Sequence, residues 1–224
     1  MKLSQFVAGA VGLVVLSSTA FATTLKEVSV INARTVTIGG TGNGYHGAVS
    51  AGLYEIAINT DANRFKTFCI DVYDFSPTSF QTYGSDLLRN APQSVGDTGI
   101  EMGVAGENAV RTLWAIGYQA ALTDADKAAG LQVAIWEAVN DTATGYNLTS
   151  GKFTATGSTA VINYANSFLS QIATYSGPLP NLFAWVNKTD TTHYQDYIGV
   201  PDGGTTVALL GLAMGTLAIV RRKH

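Results

Sequence analysis

The stretch Leu131-Gln132-Val133-Ala134-Ile135-Trp136-Glu137 constrains the fold more than any other in this chain. It reads as the middle of a buried helix, yet it carries a glutamine inside the apolar arc. At about 100° per residue from Ala128, Leu131 falls near 300°, Ile135 near 340°, Val139 near 20° and Gln132 near 40°. A buried primary amide offers up to four hydrogen bonds and costs about 2–7 kcal/mol if they go unmade. The surrounding fold must therefore bring polar partners to the heart of an apolar helix. Well upstream, Phe68-Cys69-Ile70-Asp71 holds the only cysteine of the 224 residues, and Cys69 is the candidate partner of Gln132.

Around these two stretches the period of the sequence changes twice. Thr24 to Asn32 and Arg34 to Ile38 are rich in Val, Ile and Thr, and a glycine cluster follows from Gly39 to Gly47. Leu53 to Asn59 alternates, Thr60-Asp61-Ala62-Asn63 reads as a turn, and Arg64 to Tyr73 completes an expected hairpin. Strict alternation sets Cys69 on the face of Phe65 and Asp71, opposite Phe68 and Ile70. Glu107 to Tyr118 then has helical spacing. Asp124 can cap a helix from Ala125 to about Asn140, and Ser158 one from Thr159 to Tyr175. Leu182 to Val186 and Tyr194 to Val200 return to strand character. The expectation is one α+β domain over 23–199, a β-sandwich or β-barrel with a helical insert at about 104–176. No repeat of 20–50 residues recurs.

Both ends read as accessories. Met1-Lys2, an apolar run from Phe6 to Leu16, and the small-x-small pattern of Ala20-Phe21-Ala22 make residues 1–22 a secretory signal, cleaved after about Ala22. At the other end Val200-Pro201-Asp202-Gly203-Gly204 precedes the apolar run Thr205 to Val220 and the basic cluster Arg221-Arg222-Lys223-His224. As a helix the run spans about 24 Å against a hydrocarbon core of ~30 Å, a gap that snorkelling arginines and local thinning close. The basic cluster stays cytoplasmic by the positive-inside rule, so the body lies outside. Motif, span and cluster resemble the PEP-CTERM sorting signals, and more narrowly their VPDSG-type relative, with Gly203 in place of Ser. The resemblance implies recognition by an exosortase-type membrane enzyme and cleavage near the motif. It also implies a protein held transiently in the inner membrane and destined for the cell surface.

Charge and cysteine usage narrow the function. Setting aside Lys2, Asp202 and the three terminal basic residues leaves nine Lys and Arg against fifteen Asp and Glu. An acidic body without a basic stripe argues against nucleic acid and against adsorption to anionic lipid. Exported proteins use cysteines in pairs, so a lone cysteine is an inert buried thiol, an intermolecular disulfide, a nucleophile or an acylated group. Gly42-Asn43-Gly44-Tyr45-His46-Gly47 matches GxGxxG but leads into strand-like sequence, not a helix, and carries no dinucleotide reading. His46, His193 and His224 are scattered without metal-ligand spacing, and neither metal nor cofactor is expected. A Cys69–His193 dyad stands as an alternative without a papain-like signature.

Phe68-Cys69-Ile70 and Leu131-Gln132-Val133-Ala134-Ile135-Trp136 together resemble the thioester domains of bacterial surface proteins. Trp136-Glu137 through Gly145-Tyr146-Asn147 to Ser150-Gly151-Lys152-Phe153 resembles the subset that carries PEP-CTERM-type signals. The resemblance implies a γ-glutamyl thioester between Cys69 and Gln132, in a dry pocket formed with Phe68, Ile70 and Trp136. In this chemistry a thiol with a depressed pKa attacks the amide carbon as thiolate, and ammonia leaves. A surface amine or hydroxyl, on protein or polysaccharide, would later take the acyl group. The expected function is covalent attachment or adhesion, not enzymatic turnover. The alternative is a structural protein of an extracellular matrix or biofilm, in which Cys69 and Gln132 are merely packed.

Overall fold

The computed structural model describes residues 23–41, 45–92, 100–142, 145–187 and 193–201. The expected signal at 1–22 with Ala20 and Ala22, the motif residues Asp202, Gly203 and Gly204, and the span 205–220 lie outside the described residues. No described helix is long and apolar enough to cross a membrane.

The backbone of the fold is β1, Thr23–Gly39, a strand of 17 residues. It pairs antiparallel with β2, Gly47–Ile58, along most of its length. Its first three residues pair with β4, Gln81–Leu87, and its last three with β5, Thr154–Thr156. A strand this long stays in one sheet only if it bends. Register shifts at Glu27/Ser29 and Ile31/Arg34 supply the bend, and Asn32, at a φ of 49°, lies inside the second. Such bulges kink a strand and sharpen its twist. The sheet therefore curls, in the order β3-β2-β1-β4-β6-β7. Here β3 is Thr60–Thr67, β6 is Phe183–Asn187 and β7 is Tyr197–Gly199.

The curl brings the two ends of the sheet together. Beyond Thr67 the chain continues past β7: the Ile198 N–H donates to Phe68 O at 3.0 Å and the Ile70 N–H to Asp196 O at 2.8 Å. Cys69 and Tyr197 face each other as an antiparallel bridge, and the Thr67 hydroxyl donates to Ile198 O. Among the described residues the molecule is thus mostly β, one nearly closed barrel-like sheet with three α-helices. Of the two architectures expected, the barrel forms, because a single sheet curls on itself instead of two sheets packing face to face.

The helices are α1, Gly103–Ala121, α2, Ala125–Asn140, and α3, Thr159–Gln171. The Asp124 carboxylate caps α2 by accepting from the Asp126 and Lys127 N–H groups, and the Ser158 hydroxyl caps α3. Every residue of α2 from Ala128 to Asn140 is buried. The bend in β1 seats this helix. Asn32 Nδ2 donates to the Ala121 and Leu122 carbonyls at the end of α1, each at 3.0 Å, and Arg34 pairs with Asp126 of α2 at 2.7 Å. On its far side α2 approaches α3 closely at Gly130, where an added Cβ would lie 2.6 Å from Tyr164 Cβ.

The expected hairpin forms with different bounds. The second strand starts at Thr60, and the pairing jumps from Ile58↔Thr60 to Ala57↔Arg64, so residues 61–63 bulge out instead of forming the turn. It ends at Thr67 and not Tyr73. From Thr67 to Tyr73 every residue is at most 3% exposed. Both faces of this segment are covered, so the alternation argument for Cys69 does not apply. The strands β4 and β5 were not expected from the sequence.

Candidate functional site

At the seam of the barrel, one edge of the Cys69 segment faces β7 and the other faces α2. In a bridge such as Cys69↔Tyr197 the flanking residues make the ladder bonds, which turns the peptide N–H and C=O of Cys69 itself the other way. No strand lies there. The side chain of Gln132 takes its place: the Cys69 N–H donates to Gln132 Oε1 at 3.1 Å, and Gln132 Nε2 donates to Cys69 O at 2.8 Å. Both residues are fully buried. One primary amide thus completes the pairing of a strand edge that would otherwise be orphaned, each unpaired group costing about 1–3 kcal/mol.

The thiol itself points elsewhere. Cys69 Sγ donates to the Asp71 carbonyl at 2.8 Å. Burial, above all, and then the nearby Asp71, Asp196 and Asp74 push its pKa well above the usual thiol range. The indole N–H of Trp136 opposes them by favouring the thiolate, although it makes no well-formed hydrogen bond of its own. The depressed thiol pKa expected from the sequence is therefore reversed, because the thiol is fully buried and its charged neighbours are carboxyl groups.

Of the expected pocket residues, Trp136 stands against the thiol. Phe68 and Ile70 are fully buried but serve the seam through their backbones, and the Phe68 ring packs edge-on against Trp114 at 6.0 Å. His193 lies exposed while Cys69 is fully buried, so the two share no opening of the kind a protease dyad needs. Val200 is exposed at the end of the described chain, followed by Pro201. Among the described residues no group of three or more His, Cys, Asp or Glu is placed to hold a metal ion.

The carboxyl groups of Asp71, Asp74 and Asp196 lie near Cys69, and Glu137 is buried further along α2; sequence spacing does not reveal either. Asp71 is hydrogen-bonded to Asp74, and its Oδ1 accepts from the Tyr73 N–H at 3.1 Å. Asp196, brought in by the approach to β7, accepts from the Asn187 N–H at 2.7 Å. On α2, Glu137 Oε1 accepts from the Asn147 N–H, while its Oε2 finds no donor. Desolvation by burial is the largest cause in each case. It raises Asp71 well above the carboxylate range and lifts Glu137 and Asp196 to about 7. Asp141 ends α2 and clamps the next loop, accepting from the Lys152 N–H at 3.0 Å and the Phe153 N–H at 2.8 Å. Gly151, at a φ of 122°, leaves room for that carboxylate, which a Cβ would meet at 2.6 Å.

Residues 199–224 match the VPDSG-CTERM motif family. Neither a curated protein nor a solved structure matches the chain. The motif marks a sorting signal of the kind generally processed by an exosortase-type enzyme, and with it an exported protein processed at its C-terminus.

Two outcomes follow from the site's geometry. Gln132→Ala leaves the Cys69 N–H and C=O buried and unpaired, and we expect it to lower the unfolding free energy by about 2–5 kcal/mol in urea denaturation. A loss below 1 kcal/mol, on the order of a surface change, would contradict the clamp. Glu137 and Asp196 are raised from 4.5 and 3.8 to about 7. The folded state therefore holds their protons more tightly than the unfolded chain does. Their stabilisation is complete below the unfolded values and is lost as pH rises through the folded ones. Between pH ~4.5 and ~7 stability should fall by up to about 1.4 kcal/mol per pH unit for each group, then level off. Urea midpoints near pH 5 and near pH 8 check this, and a midpoint that rises with pH would contradict it.

Proposed function

We propose that this chain is an exported cell-surface protein that uses Cys69 and Gln132 to form an internal thioester for covalent attachment. The observation that carries the reading is the amide of Gln132 held on the Cys69 peptide in a site with no solvent exposure. In the proposed step the Cys69 sulfur attacks Gln132 Cδ, the C–N bond breaks, and the thiol proton leaves with nitrogen as ammonia. The Cys69 N–H is already directed at Oε1, where negative charge would gather in the tetrahedral intermediate, as an oxyanion donor is. Burial keeps water from the acyl group once formed. Trp136 would form part of that dry wall. An amine or hydroxyl on a surface protein or polysaccharide would later take the acyl group, once per molecule.

For delivery we propose that an exosortase-type enzyme recognises Val200-Pro201-Asp202-Gly203-Gly204. The segment 205–220 would hold the chain transiently in the inner membrane before processing. A second reading has its own support: a thiol kept protonated by its burial and by nearby carboxyl groups is a weak nucleophile. In that reading Cys69 and Gln132 are structural, and the protein is an inert component of an extracellular matrix.

Intact mass of the mature protein separates the two. We expect a deficit of one ammonia that vanishes in Cys69→Ala and in Gln132→Ala. Methylamine should add to the bonded form and leave Cys69→Ala unchanged. A mass equal to that of the unmodified chain would sink the thioester. Independently, removing Val200 to His224 should release the body to the medium, and unchanged retention would reject the sorting role of the tail.

A further inference from the structure

We propose that the cavity on the outer side of Trp136 binds a primary alkylammonium, and that Asp74 takes the proton from it before it attacks the thioester. The covalent step rests on the thioester reading above; the cation site does not.

The cavity measures about 360 Å³ and lies between β1, β2 and the segment Val72–Ser76. Its lining includes the carboxylates Glu27 and Asp74 and no basic side chain. Neither carboxylate makes an ion pair with a described residue. Tyr45 and Phe75 flank it with ring centroids 5.7 Å apart, and Phe75 is 68% exposed. Two carboxylates beside aromatic faces favour an organic cation through charge and cation–π attraction together. A neutral hydroxyl compound gains neither. The volume lies at the small end of ligand pockets and suits a short alkyl chain, so that a lysine-like side chain fits and a polymer does not.

The floor connects this cavity to the proposed acyl group. Tyr54 and Trp136 line it, and both lie beside Cys69. Trp136 is the partition that the ligand must displace. Asp74 is the cavity end of a short chain of contacts: it is hydrogen-bonded to Asp71, and the Asp71 carbonyl accepts from the Cys69 thiol. The other titratable groups that feel this carboxyl pair are Asp196, beside β7, and Tyr83 of β4.

The Asp74 carboxylate takes one proton from R–NH3+, which frees the nitrogen lone pair. The nitrogen attacks Gln132 Cδ, the N–C bond forms, the C–S bond breaks, and the electron pair leaves on Cys69 Sγ. The sulfur takes a second proton from nitrogen, leaving a secondary amide and a thiol. The first proton passes from Asp74 to solvent.

Two measurements on the mature protein test the proposal. In the first, Cys69→Ala, which cannot form a thioester, is titrated with butylammonium chloride and with butanol by calorimetry. Butylammonium should bind, butanol several-fold more weakly, and Glu27→Gln should weaken the ammonium several-fold. No ammonium binding, equal binding of both probes, or indifference to Glu27→Gln would overturn the site. In the second, butylamine addition to the bonded protein is followed by intact mass against pH. Asp74→Asn should keep the ammonia deficit and react about a hundredfold more slowly. Hydroxylamine, uncharged at neutral pH, should react with that variant at nearly the wild-type rate. Wild-type kinetics with butylamine would overturn the role of Asp74. An unbonded wild type would refute the thioester and with it the proton transfer, while the first measurement would still decide the cation site.

Discussion

The structure depends on a peptide group that is paired on both edges by unlike partners. The segment through Cys69 is the last stave of the barrel. On one edge its neighbours Phe68 and Ile70 bond to β7; on the other its own N–H and C=O bond to a side chain, the amide of Gln132. A buried strand edge without a partner costs about 1–3 kcal/mol for each unpaired group. A second strand in that place would leave no room for α2 to pack directly on the seam. The primary amide is the one neutral side-chain group with a donor and an acceptor spaced to pair with a single residue's peptide. That requirement alone explains why a glutamine sits in the apolar arc of a helix buried all round.

For Gln132 to reach Cys69, α2 must be held at a fixed height and rotation against the sheet, and the bend of β1 does this. Asn32, in the left-handed region at the kink, turns its amide onto the last carbonyls of α1. Two residues on, Arg34 pairs with the first turn of α2. One irregularity therefore both curls the sheet toward closure and fixes the two helices. At the other end of α2, Asp141 ties the helix to the loop before β5, and β5 returns to the far end of β1. The helix is thus gripped at both ends by elements that the same strand organises.

How legible this was in the sequence varies with the physics of each part. The caps Asp124 and Ser158 were readable because capping is local, and the two helices they start begin where expected. The isolation of Gln132 in an apolar arc was readable because helical period is local as well. The strand through Cys69 was not, since alternation presumes one wet face and this segment has none. Nor was β5, a three-residue strand whose only reason to exist is the edge of β1. The carboxyl cluster escaped for the same reason. Asp71 and Asp74 are near each other in sequence, but Asp196 joins them only through the closure of the sheet. The burial that, together with these carboxyl groups, raises the Cys69 pKa is a tertiary fact.

The clamp also bears on what attachment through this site would do to the seam. Because Oε1 and Nε2 pair with the N–H and C=O of one residue, the Nε2 hydrogen in use lies on the same side of the C–N bond as Oε1. Thioester formation removes that donor and leaves Cys69 O unpaired. Attack by an amine restores a nitrogen, but a secondary amide strongly prefers the arrangement that puts its substituent, not its hydrogen, on the oxygen's side. The alternative costs about 2.5–4 kcal/mol. An attached form would therefore not resume the original pairing, and the seam at Cys69 would have to accommodate the substituent where its hydrogen bond once ran. The altered seam would count against the attached form, so a single-use tether would rest on the strength of the amide bond alone.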